Sequence, residues 1–192
     1  LAHTDLETAK AEARKQAMAQ RAALNSSERA EAAKAAAEHF FQKVDLTEGQ
    51  LVAAYWPIRD EIDAKPLLTR LMDSGQPVCL PVVMGRDEPL IFRLWEQDTP
   101  LYEAGFGTLV PAESAPVVTP EFMIIPLLGF DKTGTRLGYG RGHYDRTIAT
   151  MEKKPVLVGY AFSAQELETI PREPHDVPLD YLITETGVRL FY

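Results

Sequence analysis

The stretch EFMIIPLLGFDKTGTRLGYGRGHYDRTIATMEK (residues 121–153) reads in three parts. The apolar run FMIIPLL is the length of a buried strand and is interrupted by Pro126. GFDKTGTRLGYGRGHYDR (129–146) follows, with five glycines and four cationic side chains. RGHYDRTIATMEK then opens a helix. A plain surface loop needs a glycine or proline to turn. It does not need glycines at alternate positions 138, 140 and 142, with Arg136 before them, Arg141 between two of them and Asp145 just after. Strand, glycine-rich loop and helix in that order predict an α/β fold whose loop wraps a phosphate chain.

The flanks agree with that class. Residues 5–43 read as two helices rich in Ala, Lys, Glu, Gln and Arg. Asn25 is placed as the N-cap of the second, with Glu28 at the capping-box position. QLVAAYW, PVCLPVV, LIFRLW, PVLVGYAF and DYLITETGVRLFY are expected strands, and DAKPLLTRLMDSG is a short helix ending near Gly75. TLVPAESAPVVTPE (108–121) reads as a proline-bearing loop. No internal repeat or low-complexity tract breaks the chain. The expectation is one domain over residues 1–192, since domains run to roughly 100–200 residues.

Composition narrows the function. The 192 residues carry a formal net charge of −8, which counts against broad nucleic-acid binding but not against a local cationic pocket for a small anion. No apolar run approaches the ~20 residues of a membrane span. The opening LAHTDLETAK lacks a basic-then-apolar leader pattern. Cys79, the single cysteine, excludes an internal disulfide and a multi-cysteine zinc site. Lying in PVCLPVV, it is expected to be a buried, inert thiol in a reducing cytoplasm.

The chemistry of the loop follows from its residue types. Glycines permit positive φ and close backbone approach, and successive N–H groups make an anion-binding concavity. A helix starting near His143 adds its partial positive end. Arg136 and Arg141 offer planar forks of donors to phosphate oxygens. Asp145 has the charge to hold the Mg²⁺ that accompanies a phosphate. The spacing is neither GxxxxGK[ST] nor GxGxxG. DKTG (131–134) also reads as an ordinary tight turn, so a purely structural loop competes with the phosphate reading at this point.

The segment GFDKTGTRLGYGRGHYDR resembles the signature of the 5-formyltetrahydrofolate cyclo-ligase (5,10-methenyltetrahydrofolate synthetase) family. Two positions are less usual: Arg141, where Lys or Gly is frequent, and His143, where an aromatic is expected. KAEAR (10–14), YWPIRDEID (55–63), GFGTLVPAE (105–113) and PREPHDVPLD (171–180) resemble further family segments, so the likeness spans most of the chain. It implies a three-layer sandwich with a mostly parallel central sheet, similar to the sugar-phosphate isomerase and CoA-transferase-like group. It implies ATP and Mg²⁺ as cofactors, 5-formyltetrahydrofolate as substrate, and a monomeric cytoplasmic enzyme without nucleic-acid or membrane partners. ATP contacts are implied for Lys10, Arg14, Arg136, Leu137, Gly138, Tyr139, Gly140, Arg141, Gly142, His143 and Tyr144. Folate contacts are implied for Trp56, Glu61, Tyr139, Gly140, Arg141, Gly142 and His143. Catalytic roles fall to Arg136, Arg141 and Asp145, and metal ligation to Asp145 and Asp176.

The implied chemistry explains the absence of a nucleophilic triad. Phosphoryl transfer to the formyl oxygen needs positioning and charge neutralisation rather than a protein nucleophile. Lys10 and Arg14, four apart, share a helix face and are expected to grip the phosphates from the side opposite the glycine loop. A solvated basic face is the competing account of the pair. Glu61, at a strand's carboxyl end, can accept two hydrogen bonds from a pterin, or be a surface acid in RDEID. Trp56 can stack on the pterin or serve the core, and Tyr144 joins Tyr139 as a candidate for lining the folate. Asp176 alone would read as a turn residue, and His175 as structural. Two rival functions share these features: a non-catalytic RNA-binding relative and a sugar-phosphate isomerase.

Overall fold

A computed structural model describes residues 3–105 and 107–191; Phe106 of the GFGTLVPAE stretch lies outside the described residues. Two helices come first, α1 (His3–Ala22) and α2 (Ser26–Lys43). Asn25 caps α2 as expected: its side chain accepts from the Glu28 N–H, and the Glu28 carboxylate accepts from the Asn25 N–H. Then come β1 (Val52–Ala53), α3 (Lys65–Asp73), β2 (Val78–Val82), β3 (Ile91–Trp95), β4 (Tyr102–Glu103) and β5 (Leu109–Val110). They are followed by β6 (Val117–Val118), β7 (Phe122–Pro126), β8 (Gly129–Phe130), β9 (Arg136–Leu137) and α4 (His143–Thr150). The chain closes with β10 (Val156–Tyr160), a 3-10 turn at Ser163–Gln165, β11 (Tyr181–Thr184) and β12 (Gly187–Leu190).

Eight strands form one sheet in the order β12-β11-β10-β7-β1-β2-β3-β6. The inner junctions β11/β10, β10/β7, β7/β1 and β1/β2 are parallel, and antiparallel strands close both edges. The parallel strands alternate between two cores. Val52, Val78, Leu80, Phe122, Ile124, Val158 and Tyr160 face one core with Phe40 of α2 and Leu67, Leu68 and Leu71 of α3. Ala53, Cys79, Met123, Ile125 and Leu157 face the other with Ile148 of α4. Burial on both faces is why these strands read as continuous apolar runs. The expected three-layer α/β architecture with a mostly parallel sheet is what the chain adopts.

Some expectations needed correction. QLVAAYW contributes only Val52 and Ala53 to the ladder, although the Ala54 N–H still bonds Cys79 O. Pro57 lacks an N–H, and the chain turns back where the Tyr55 hydroxyl donates to Ile62 O at 2.7 Å. The loop 108–121 is not free of strands: β6 adds to the sheet edge and β5 pairs with β4. Cys79 is buried as expected, and burial pushes its thiol far above the ordinary range. Among the described residues no helix is long and apolar enough to cross a membrane.

Candidate active site

β1, β7 and β10 are parallel, so their carboxyl ends open on the same side of the sheet, the usual place for ligands in α/β folds. After β7, the buried Leu127 and Leu128 lead into the β8/β9 hairpin. DKTG is indeed its tight turn, with the Gly134 N–H donating to Asp131 O. Asp131 is buried and fixes the hairpin by accepting from Thr133, Thr135 and Ile170 N–H groups. The tight turn at 131–134 therefore precedes the glycines at 138, 140 and 142 rather than including them.

The glycines beyond the hairpin are not equivalent. Gly140 (φ +100) and Gly142 (φ +68) occupy left-handed backbone, which favours glycine. Gly138 does not, and a Cβ there would meet nothing closer than Arg136 Nη1 at 3.9 Å. Gly142 is the N-cap of α4, which begins at His143 as expected.

α1 lies along this turn, and its polar face is spaced 10, 14, 21, one helix face with the buried Ala17 between. A Cβ at Gly129 would fall 3.2 Å from Ala17 Cβ and 3.0 Å from Leu167 Cδ1, so bare backbone lets helix and hairpin close up. Arg14 Nε donates to Gly138 O at 3.1 Å, and its guanidinium lies 3.3 Å from where a Gly140 Cβ would be. Arg14 thus lies against the glycine turn itself. Lys10 Nζ sits 2.9 Å from Asp176 Oδ2 and 3.0 Å from Glu173 Oε1. At 13% exposure the Lys10 side chain is not part of a solvated face. Burial lowers its pKa, but the hydrogen bonds and charges of Asp176 and Glu173 outweigh that and leave it raised. The same cluster leaves Asp176 lowered, because the Glu173 N–H and Lys10 outweigh the effect of burial.

Arg136 Nη2 donates to Asp145 Oδ1 at 2.5 Å, and the Val177 N–H donates to the same oxygen at 3.2 Å. Asp145 and Asp176 are thereby drawn together, since Val177 directly follows Asp176. Both hydrogen bonds that Asp145 accepts among the described residues fall on Oδ1, leaving Oδ2 open among them. Among the described residues no group of three or more His, Cys, Asp and Glu side chains could hold a metal. The oxygen donors of Asp145 and Asp176 are of the type that fits Mg²⁺, which binds one or two carboxylates and keeps several waters. Arg136 Nε is buried with no partner among the described residues, and so is Arg146 Nη1. Arg86, Arg141 and Arg146, none of them ion-paired among the described residues, line a cavity of about 380 Å³ with Asp87, Tyr139 and Gly140. His143 Nε2 lies 2.9 Å from Arg86 O and 3.2 Å from Gly85 O. Carbonyls only accept, so this nitrogen carries the hydrogen and pins the loop bearing Arg86 to α4.

Glu61 follows β1. Its Oε1 accepts from the Ile58 N–H at 2.9 Å and its Oε2 from the Tyr139 hydroxyl at 3.1 Å, joining the acid loop to the glycine turn. Burial raises its pKa, opposed by the Ile58 and Tyr139 hydrogen bonds and the charge of Arg21. Burial likewise pushes the Tyr139 hydroxyl up to about 12, and Tyr144 is raised for the same reason. Trp56 is half-buried, packing edge-on to Trp95 with ring centres 6.1 Å apart and with Lys65 Nζ 5.5 Å from its ring centre. Of the implied residues, Leu137 is buried in the cluster under α1 and Tyr144 is partly buried behind the turn. Sequence reading missed Arg21, which is buried and reaches both Tyr139 and Asp60. Its spacing from Lys10 and Arg14 on one helix face was the available signal.

Known proteins resemble this chain along most of its length. A family profile described as the 5-formyltetrahydrofolate cyclo-ligase family matches residues 6–185. The 5-formyltetrahydrofolate cyclo-ligase of Haemophilus influenzae is 32% identical over 165 residues, covering 83% of this chain and 88% of the relative. That of Escherichia coli K12 is 30% identical over 174 residues, covering 88% and 96%. The NMR structure of 5,10-methenyltetrahydrofolate synthetase from Aquifex aeolicus superposes with a TM-score of 0.81 at 30% identity, covering 94% of this chain and 92% of that one.

Proposed function

From the chain's membership of the 5-formyltetrahydrofolate cyclo-ligase family, we propose how its own residues carry out the family reaction, the ATP-dependent conversion of 5-formyltetrahydrofolate to 5,10-methenyltetrahydrofolate. The observation that supports this assignment of residues is the glycine turn at the sheet's carboxyl edge, flanked by Arg14 and by the unpartnered buried Nε of Arg136. A triphosphate laid in the turn supplies the acceptor that Arg136 Nε lacks.

The formyl group is an amide and a poor electrophile. Transfer of the ATP γ-phosphoryl group to its oxygen releases ADP and creates a leaving group. N10 then attacks the formyl carbon, phosphate departs, and the ring closes. Lys10, Arg14 and the turn from Arg136 to Tyr144 hold the nucleotide. Arg136 and Arg141 neutralise charge on the transferring phosphoryl group. Asp145 and Asp176 would hold Mg²⁺, which would supply charge neutralisation for the phosphates. Asp145 would offer Oδ2, which takes no hydrogen bond among the described residues. Glu61 accepts hydrogen bonds from the pterin, and Trp56, Tyr139, Gly140, Arg141, Gly142 and His143 complete the folate side. We place the enzyme in the cytoplasm as a monomer.

The test is the absorbance of the methenyl product with and without ATP and Mg²⁺. Product is expected only with both. Arg136→Ala and Asp145→Asn should lower kcat/KM for ATP about hundredfold. Wild-type ATP kinetics in both variants would remove the turn from the mechanism.

A further inference from the structure

Arg21 sits in the last turn of α1, 2% exposed, although arginine is rarely buried unless paired. Its Nη2 pairs with Asp60 Oδ1 at 2.6 Å, and its Nη1 donates to the Tyr139 hydroxyl at 3.0 Å. Its guanidinium carbon lies 5.8 Å from the Tyr139 ring centre. A guanidinium only donates, so Tyr139 must accept from it. The single hydroxyl hydrogen is left for another acceptor, and Glu61 Oε2 takes it at 3.1 Å. Arg21 therefore decides which way the Tyr139 hydrogen points.

The acid loop needs this bracing. Arg59, beside Asp60, holds a left-handed backbone with φ +54, uncommon for a residue other than glycine. Arg29 grips the same loop by donating to Asp60 O at 2.9 Å, and it also donates to Arg21 O at 2.6 Å. Two arginines from successive helices thus clamp the turn that presents Glu61.

We propose that Arg21 is a positioning residue for folate recognition: it aims the Tyr139 hydroxyl at Glu61 and holds Glu61 as the carboxylate that receives the pterin's N–H donors. The inference rests on the pterin reading of Glu61. The groups facing Glu61 are Arg21 from α1, Asp60 from its own loop, Tyr139 from the glycine turn, Tyr144 from α4 and Tyr55 at the end of β1. Arg21 is the cation among them. Burial raises the Glu61 pKa and Asp60 adds to the rise, while Arg21 opposes it. Recognition by the ionised form is lost as pH falls through the folded-state pKa. Without Arg21 that pKa climbs further, because Asp60 is left uncompensated beside it, and the loss begins at higher pH.

The test is kcat/KM for 5-formyltetrahydrofolate across pH in wild type, Arg21→Met, Arg21→Lys, Tyr139→Phe and Glu61→Gln, with KM for ATP measured alongside. Arg21→Met is expected to lower folate kcat/KM about tenfold to hundredfold at neutral pH and to move the acid limb upward, with ATP KM within about twofold. Arg21→Lys should recover part of the shift. Tyr139→Phe, which spares the Arg21–Asp60 pair, should move the limb the same way by less. An unmoved acid limb in folded Arg21→Met overturns the proposal, as does an ATP KM that rises in step with that for folate. If Arg21→Met does not fold, an unmoved limb in Tyr139→Phe overturns it instead. Glu61→Gln separates the two claims. Wild-type folate kinetics there sinks the pterin reading itself, whereas a lost limb there with an unmoved limb in Arg21→Met sinks only the role of Arg21.

Discussion

Burial raises the Glu61 carboxyl above its ordinary range, so its ionised form is a cost to the folded state at neutral pH. Glutamine in its place can keep the Ile58 hydrogen bond without the charge. Glu61→Gln is therefore expected to melt higher than wild type at neutral pH. The sign follows from linkage: with a raised folded-state pKa the penalty is present above that pKa and fades as pH falls below the ordinary carboxylate range, where both states are protonated. Melting curves from neutral pH down to acid should show the gap closing, and a gap that widens instead would mean that Glu61 is not strained by burial. At this scale the positive-φ glycines Gly140 and Gly142 and the start of α4 at His143 were legible, because backbone conformation selects residue type locally. Arg21 shares the helix face of Lys10 and Arg14, but that spacing does not say whether an arginine in an Ala-rich helix faces water or the core. Of the three alternate glycines, Gly140 and Gly142 have positive φ and Gly138 does not.

Among the elements, α2 carries its own stop and start signals. The Asn25–Glu28 box closes its N-terminus, and Ala32, Ala33, Ala36, Ala37 and Phe40 bury one face at helical spacing. Asn25→Ala is expected to cost about 1 kcal/mol. In a chain of this size that lowers Tm by about 2–4 °C. Thermal melting should show the drop while KM for ATP and folate stay unchanged, because the cap lies away from the site. Long periodic elements such as α1, α2, β7 and β10 were legible in the residues. The pairs β4/β5 and β8/β9 and the edge strand β6 were not. Each contributes two residues to a ladder, too few for alternation to register, and their pairing depends on where distant segments lie.

For the molecule as a whole, an acidic chain of net charge −8 concentrates guanidinium groups at one edge of its sheet. Mg-ATP bound there should stabilise the folded state by mass action, about 2.7 kcal/mol at a hundred times Kd. That corresponds to a Tm rise of about 5–10 °C. A scan with and without the nucleotide checks it, and an unchanged Tm would mean that the edge does not take ATP. The α/β class, the buried strands and the chemical character of the loop were all present in the residues, because apolar period, capping and glycine content are local properties of the chain. The meeting of α1 with the glycine turn, the pairing of Lys10 with Asp176 across 166 positions, and the Arg21–Tyr139–Glu61 chain of contacts were decided only by the tertiary structure. Charges and hydrogen bonds act through space, and residues far apart in the chain become partners only when the sheet's parallel strands bring their carboxyl ends to one side.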